Sequence, residues 1–221
     1  MVTKGLSLKT VVFDFDGTLA KLNIDFALMR QTVLELISSY GVPLQSLQDH
    51  FVLEMVAAAE TWIAKHRTGS EKDFFYQANT LITSIEIEAA QKGALFDETR
   101  RVLQELKNRE IKTGVVTRNC LAAVQVLFPD IHHYTDIVIT REKTPHVKPH
   151  PGHLRMTLQW LAADPKFAAM VGDHPMDIKT GKDAGVYTVG VLSGYSKVDD
   201  LKKAGADIIL NRAADIFTIL V

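Results

Sequence analysis

The chain has 221 residues, of which 47% are hydrophobic and 23% charged; that suits one large domain, or a core domain with a smaller insertion, and excludes a disordered polymer. Its 25 Lys and Arg against 26 Asp and Glu leave a net charge of −1, which argues against a dedicated nucleic-acid binder or anionic-membrane binder. The single cysteine, Cys120, cannot close an intrachain disulfide, the first residues lack a signal-like apolar stretch, and no run approaches the roughly 18 apolar residues of a membrane span, so a soluble, cytoplasmic protein with no membrane partner is expected.

Thr10 to Phe15 (TVVFDF) is β-branched and aromatic, stops at Gly17, and predicts a short buried strand. From Ile24 to about Ala90 the period becomes helical. Phe26, Met29, Val33 and Leu36 share one predicted face. Leu44, Leu47, Phe51, Met55, Ala58 and Trp62 form a second, and Phe75, Ala78, Ile82, Ile85 and Ala89 a third. Breaks at Tyr40-Gly41-Val42-Pro43 and Thr68-Gly69-Ser70 divide this block into three or four helices. After Gly93 helices and strands alternate. The predicted strands are Lys112 to Thr117, Asp136 to Thr140, Phe167 to Gly172, Val186 to Val191 and Asp207 to Leu210. Helices are predicted over Asp97 to Asn108, from Asn119, from Pro151 to Ala162, and from Met176 to Ala184. Short apolar strands joined by helices imply parallel pairing with right-handed crossovers. The expected fold is α/β: a Rossmann-like parallel sheet core from residues 1–19 and 92–221, with a small all-helical cap, residues 20–91, inserted after the first strand.

Catalytic groups in open parallel sheets gather beyond the carboxyl ends of the strands. Those positions hold Asp14-Phe15-Asp16-Gly17-Thr18, then Thr117 with Arg118 and Asn119, and finally Asp173 to Asp177. A further loop carries Val147-Lys148-Pro149-His150-Pro151. Clustered carboxylates repel one another unless a cation sits among them, and hard oxygen ligands in small number suit Mg²⁺. A lysine and a hydroxyl at the same rim would neutralise and hydrogen-bond a transferring phosphoryl group. The set therefore suits a phosphate monoester held on a divalent cation.

With these four motifs in order, DFDGT at Asp14, Thr117, VKPHP at Lys148 and GDHPMD at Asp173, the sequence resembles the haloacid dehalogenase superfamily, and within it the phosphoglycolate phosphatase group. The helical insert sits where that group carries its cap. The resemblance implies that Asp14 is the nucleophile, forming an aspartyl-phosphate, and that Asp16 protonates the leaving alcohol and then activates water. It further implies Mg²⁺ on the Asp14 side chain, the Asp16 carbonyl and Asp173. Thr117, Arg118 and Lys148 would bind the phosphoryl group, and Asp177 would order water or Lys148 behind the metal. Asp16 separates phosphatases from dehalogenases, which have no alcohol to protonate. Two positions depart from the group's pattern: Ala20-Lys21-Leu22 follows DGTL where Asp-Ser is common, and His174 replaces a small hydroxyl residue or Asp.

Plainer readings compete with these. An EF-hand would want glycine where Leu19 stands, and Asp177 could simply cap the next helix. Six of eight histidines lie between His132 and His174, but Pro151 and Gly152 separate His150 from His153 and no cysteine pair accompanies them, so zinc is not expected. Cys120 reads as a small buried residue. The expected function is a Mg²⁺-dependent phosphatase acting on a small phosphorylated metabolite such as phosphoglycolate, as monomer or homodimer. A sugar phosphomutase and a non-catalytic relative are the alternatives. Specificity must come from the insert, with Lys21, Asn23 and above all Arg30 as candidates, because a guanidinium can grip a substrate carboxylate at two points.

Overall fold

The computed structural model describes residues 6–67 and 69–221. In chain order its strands are β1 (Thr10–Phe13), β2 (Ala20–Lys21), β3 (Ala94–Leu95), β4 (Lys112–Val116), β5 (Ile137–Ile139), β6 (Ala168–Gly172), β7 (Tyr187–Val191) and β8 (Ile208–Leu210). The helices are α1 (Phe26–Ser39), α2 (Val52–His66), α3 (Glu71–Gln91), α4 (Thr99–Asn108), α5 (Leu121–Leu127), α6 (Gly152–Trp160), α7 (Pro175–Ala184) and α8 (Val198–Lys203).

Six strands form one sheet in the order β5-β4-β1-β6-β7-β8, every neighbouring pair parallel. All four residues of β1 are buried, and Val12 stands opposite Gly114 on one side and Met170 on the other. A central parallel strand covered on both faces has no polar side, which is why TVVF does not alternate. Val12 packs in a cluster with Val116, Ile139, Leu154, Leu158 and Met170. Burying each such side chain contributes about 1.5–3 kcal/mol at most. The sheet's outer strands are tied in by aspartates placed just before them. Asp136 accepts the Thr113 N–H at 2.6 Å, and Asp207 accepts both the N–H and the hydroxyl of Thr188 at 2.8 Å. From β1 the chain builds outward through β4 and β5, then returns to the other side for β6, β7 and β8. The reversal lies at β1, so the carboxyl ends of β4, β1 and β6 stand side by side at a topological switch point, the place where such sheets bind ligands.

The chain divides into two units: the residues up to Leu22 together with Lys92–Val221, and Asn23–Gln91. Ala20 to Leu22, assigned to the insert from sequence, group with the sheet. Ala20 and Lys21 pair antiparallel with Leu95 and Ala94, and the Leu22 N–H bonds to Asp16.

Among its described residues the second unit has only helical elements, α1 to α3 with a 3-10 turn at Leu44–Leu47. Asp25 caps α1 by accepting the Leu28 N–H at 2.9 Å. Three of the expected faces are shifted. Phe26, Phe51 and Phe75 are 51%, 48% and 46% exposed, so none of them is core. On α1 the buried residues are Met29, Val33 and Ile37, in steps of four. On α3 they include Phe74, Ala78, Ile82, Glu86 and Ala90, again in steps of four, where the apolar pattern favoured Phe75 and Ile85. The second stripe ran from Leu44 across Phe51, but the turn ends before α2, and the helical phase restarts so that Met55, Val56, Ala59 and Ile63 are buried. Thr68, in the second predicted break, lies outside the described residues, as do residues 1–5 of the expected core segment.

Candidate active site

Three buried carboxylates converge on one buried ammonium at the switch point. Asp14 directly follows β1, and its N–H bonds to the Val171 carbonyl at 2.8 Å. Lys148 Nζ donates to Asp14 Oδ1 at 2.5 Å and to Asp177 Oδ1 at 2.6 Å. Asp177 lies in the first turn of α7, where its Oδ2 accepts the His174 N–H at 3.0 Å. The cap role and the lysine-orienting role, compatible by sequence, thus fall on the two oxygens of one carboxylate. Oxygens of Asp14, Asp173 and Asp177 lie within 4.8 Å of one another.

Asp173 follows β6, and its Oδ2 accepts the Tyr195 N–H at 2.8 Å. Backbone presses on it from two sides. A Cβ at Gly194 would stand 2.0 Å from Asp173 Oδ2, and one at Gly17 would stand 2.5 Å from its Cγ. Gly17 also has φ +82°, which L side chains rarely adopt. Asp16 has a donor on each oxygen: the Leu22 N–H on Oδ1 at 2.8 Å and the Tyr195 hydroxyl on Oδ2 at 3.3 Å.

Thr117, just past β4, is buried, donates its N–H to Ile139 O at 3.1 Å, and accepts the Asn119 N–H on Oγ1 at 3.1 Å. The Asn119 side-chain nitrogen is buried without a hydrogen-bond partner among the described residues, a donor suited to an anion. Arg118 donates to the Lys148 carbonyl. His153, fully buried, accepts the Lys148 N–H on Nδ1 at 3.3 Å, so its Nε2–H donates to the Ile139 carbonyl at 3.0 Å. The Lys148 peptide is thereby held at both its N–H and its carbonyl. Burial, reinforced by the Lys148 charge, lowers the His153 pKa to about 4, so that clamp stays neutral at physiological pH.

The charges do not balance. Burial would lower the Lys148 pKa, but Asp14 and Asp177 more than offset it and leave it raised. Burial raises Asp14 well above the ordinary carboxylate range; Lys148 pulls it back in part, while Asp177 and Asp173 push it further up. Asp173 is raised to about 7, by burial first and then by Asp177. Burial also raises Asp16. Three ionised carboxylates around one ammonium leave an excess of two negative charges, the amount a divalent cation would offset. All the donors are hard oxygens, so the residues fit Mg²⁺.

This excess carries a pH signature. In the metal-free protein Asp173 binds its proton more tightly folded, at about 7, than unfolded, near 3.8. The stability it contributes is complete below the unfolded value and is lost as pH rises through the folded one. We expect the melting temperature of EDTA-treated protein to fall by about 5–10 °C between pH 5 and 7.5. Mg²⁺ should recover more of it at pH 7.5 than at pH 5. An equal Mg²⁺ increment at both pH values would remove Asp173 from the metal site.

Of the residues singled out from sequence, Asp14, Asp173, Asp177 and Lys148 are brought together directly. Asp16 joins them through Tyr195, which touches both Asp16 and Asp173. Arg118 lies on Lys148. Arg30 belongs to the helical unit, where its guanidinium donates to the carbonyls of His50 and Gln48 at 2.6 Å and of Leu47 at 3.4 Å. That use orders the turn before α2. Gly194 and Tyr195 are not singled out by sequence, and His153 enters there only in the zinc reading that is set aside. The strand-end rule, applied once more past β7, would have drawn Gly194 and Tyr195 into the set. The departure at His174 has a local reason: its Nδ1 accepts the Met176 N–H at 3.1 Å, the capping service a hydroxyl or Asp renders at a helix start.

The chain is 32% identical to the pyrophosphatase PpaX of Bacillus cereus (strain ATCC 10987 / NRS 248), over 97% of each chain. Its fold is similar to that of a hydrolase from Pseudomonas syringae, with TM-score 0.68 at 17% identity over 95% of this chain and 96% of the other. It is also similar to the haloacid dehalogenase-like family protein SP0104 from Streptococcus pneumoniae, with TM-score 0.65 at 20% identity over 96% and 98%. Residues 11–191, which include every side chain of the carboxylate–lysine cluster, match the family model described as haloacid dehalogenase-like hydrolase, and the chain belongs to that family.

Proposed function

We propose that the chain is a cytoplasmic Mg²⁺-dependent phosphatase, acting alone or as a homodimer, that cleaves a small phosphorylated metabolite through an aspartyl-phosphate on Asp14. The observation that carries this reading is the buried Asp14–Lys148–Asp177 chain, with Asp173 beside it and Asp16 two residues on. An Asp14 oxygen forms a bond to phosphorus while the bond to the leaving oxygen breaks and its electron pair stays with that oxygen. Asp16 supplies the proton to the leaving oxygen, then removes one from the water that attacks the aspartyl-phosphate, which releases phosphate and restores Asp14. Lys148 fixes the Asp14 carboxylate and, with Thr117 and Arg118, faces the transferring oxygens. Mg²⁺, held by Asp14, the Asp16 carbonyl and Asp173, would supply charge neutralisation at the phosphoryl group.

For the leaving group, pyrophosphate is the first choice and phosphoglycolate the second. The full-length relatives carry the name pyrophosphatase. Arg30, the cation expected for a substrate carboxylate, instead donates to backbone carbonyls. The test is phosphate release from both compounds with Mg²⁺ and after EDTA treatment. Release that requires Mg²⁺ is expected, and none from any phosphate compound overturns the reading. A phosphomutase would return the phosphoryl group rather than release it. Asp16→Ala adds a second measurement. Phosphate leaves as a stabilised anion and an alkoxide does not, so kcat/KM for phosphoglycolate should drop about 100-fold or more while that for pyrophosphate drops much less. Equal losses on both would remove Asp16 from the acid role.

A further inference from the structure

We propose that Tyr195 is a positioning residue for proton transfer at Asp16, a role that rests on the phosphatase reading above and adds a residue to it. The phenol lies in the loop after β7, where its own N–H holds Asp173 Oδ2 at 2.8 Å and its hydroxyl meets Asp16 Oδ2 at 3.3 Å. One residue thus fixes the spacing between a carboxylate of the metal cluster and the proton-transferring carboxyl. Gly194 allows the close approach, since any Cβ there would collide with Asp173.

The chemistry of the partner matters as much as its place. Asp16 must act in both protonation states, as the acid that completes the first step and as the base that begins the second. Its other contact, the Leu22 N–H on Oδ1 at 2.8 Å, can only donate, so the neutral carboxyl carries its proton on Oδ2, the oxygen that Tyr195 meets. A phenolic hydroxyl both donates and accepts. It donates to Oδ2 when Asp16 is ionised and can accept from it when Asp16 carries the proton, so the carboxyl keeps a side-chain partner through the whole cycle. Tyr195 gains and loses no proton itself. In the first step the proton moves from Asp16 to the leaving oxygen as the phosphorus–oxygen bond breaks. In the second it moves from water to Asp16 as the new bond to phosphorus forms.

The effect should therefore depend on how much the leaving group needs a proton. The experiment compares wild type with Tyr195→Phe, which keeps the half-exposed ring and the backbone N–H on Asp173, on a series of substituted phenyl phosphates with Mg²⁺. Because kcat/KM reports the first step, it should fall about tenfold for phenyl phosphate and stay within about twofold for p-nitrophenyl phosphate, whose leaving group needs little protonation. With p-nitrophenyl phosphate kcat and KM should fall together, because hydrolysis of the aspartyl-phosphate still needs Asp16 as base. Equal losses in kcat/KM across the series, or no loss in any member, would overturn the role of Tyr195 and leave the phosphatase reading standing. If wild type acts on none of these, the same comparison is made between phosphoglycolate and pyrophosphate; a wild-type protein that releases phosphate from none of them would instead sink the phosphatase reading itself.

Discussion

Asp14→Asn should leave no more than about one part in ten thousand of wild-type turnover, since removing a nucleophile typically costs several powers of ten. The amide keeps the shape of the side chain, so the Lys148 ammonium still finds an oxygen to bond. What it lacks is the charge that attacks phosphorus in the proposed mechanism, and no neighbour can replace it. Asp177 is the nearest candidate, but its two oxygens are bound to Lys148 and to the His174 N–H. Asp173 has the Tyr195 N–H on one oxygen and two backbone segments packed against it. The check is steady-state phosphate release, with mass spectrometry of the variant to detect deamidation back to Asp. More than a few per cent of wild-type turnover in protein still carrying the amide would mean that Asp14 is not the group that becomes phosphorylated.

Lys148→Met should rank second in effect on turnover and first in effect on stability. Methionine fills much of the stem's volume and removes the ammonium that Asp14 and Asp177 share. Breaking a buried ion pair by deleting one partner costs about 3–5 kcal/mol, because the remaining charges stay buried without compensation. Turnover should fall on the order of 1,000-fold, the range seen when one charge-stabilising donor is lost. The two effects separate by pH. At pH 5 Asp173, raised to about 7, can take up a proton and relieve the repulsion, whereas at pH 8 it is ionised. The loss in melting temperature should thus be larger at pH 8 than at pH 5. A variant with more than a tenth of wild-type turnover and an unchanged melting temperature would show that Lys148 is a bystander. Lys148→Arg should not rescue activity, since a planar fork does not fit a site shaped around a compact ammonium.

Much of this site was legible from the linear chain because parallel sheets convert strand ends into neighbours. Asp14, Thr117 and Asp173 are far apart in sequence, yet each stands at the carboxyl end of one of three adjacent strands. Lys148 was legible from its Lys-Pro-x-Pro loop. Tyr195 follows a strand end as well, past β7, but that position alone does not show its part in the site, which depends on a backbone N–H and a phenol reaching two different carboxylates. Arg30 stood out because a guanidinium can grip a substrate carboxylate at two points. Its actual partners are main-chain carbonyls of a turn, which no side-chain pattern announces. The helical faces slipped for a related reason. Apolar residues such as Phe26, Phe51 and Phe75 fit a stripe by period, but where each helix begins decides which of them faces inward.

The place of the insert also sets an order of assembly. β1 is made early, yet the strands that flank it begin at Lys112 and Ala168, about a hundred residues and more further along. Closing a loop of that length costs only about 0.6 kcal/mol more than one half as long, so the burden falls on rate rather than on final stability. Helices α1 to α3 rest on contacts close in sequence and can form while β1 still lacks both neighbours. Until then TVVF is an apolar, β-prone run with open edges, the kind of segment through which unfinished chains associate. Asp14 is the residue that directly follows that strand. The surroundings of the proposed nucleophile therefore arrive late, with pairings that span most of the chain, and a partly folded molecule carries Asp14 without the site around it.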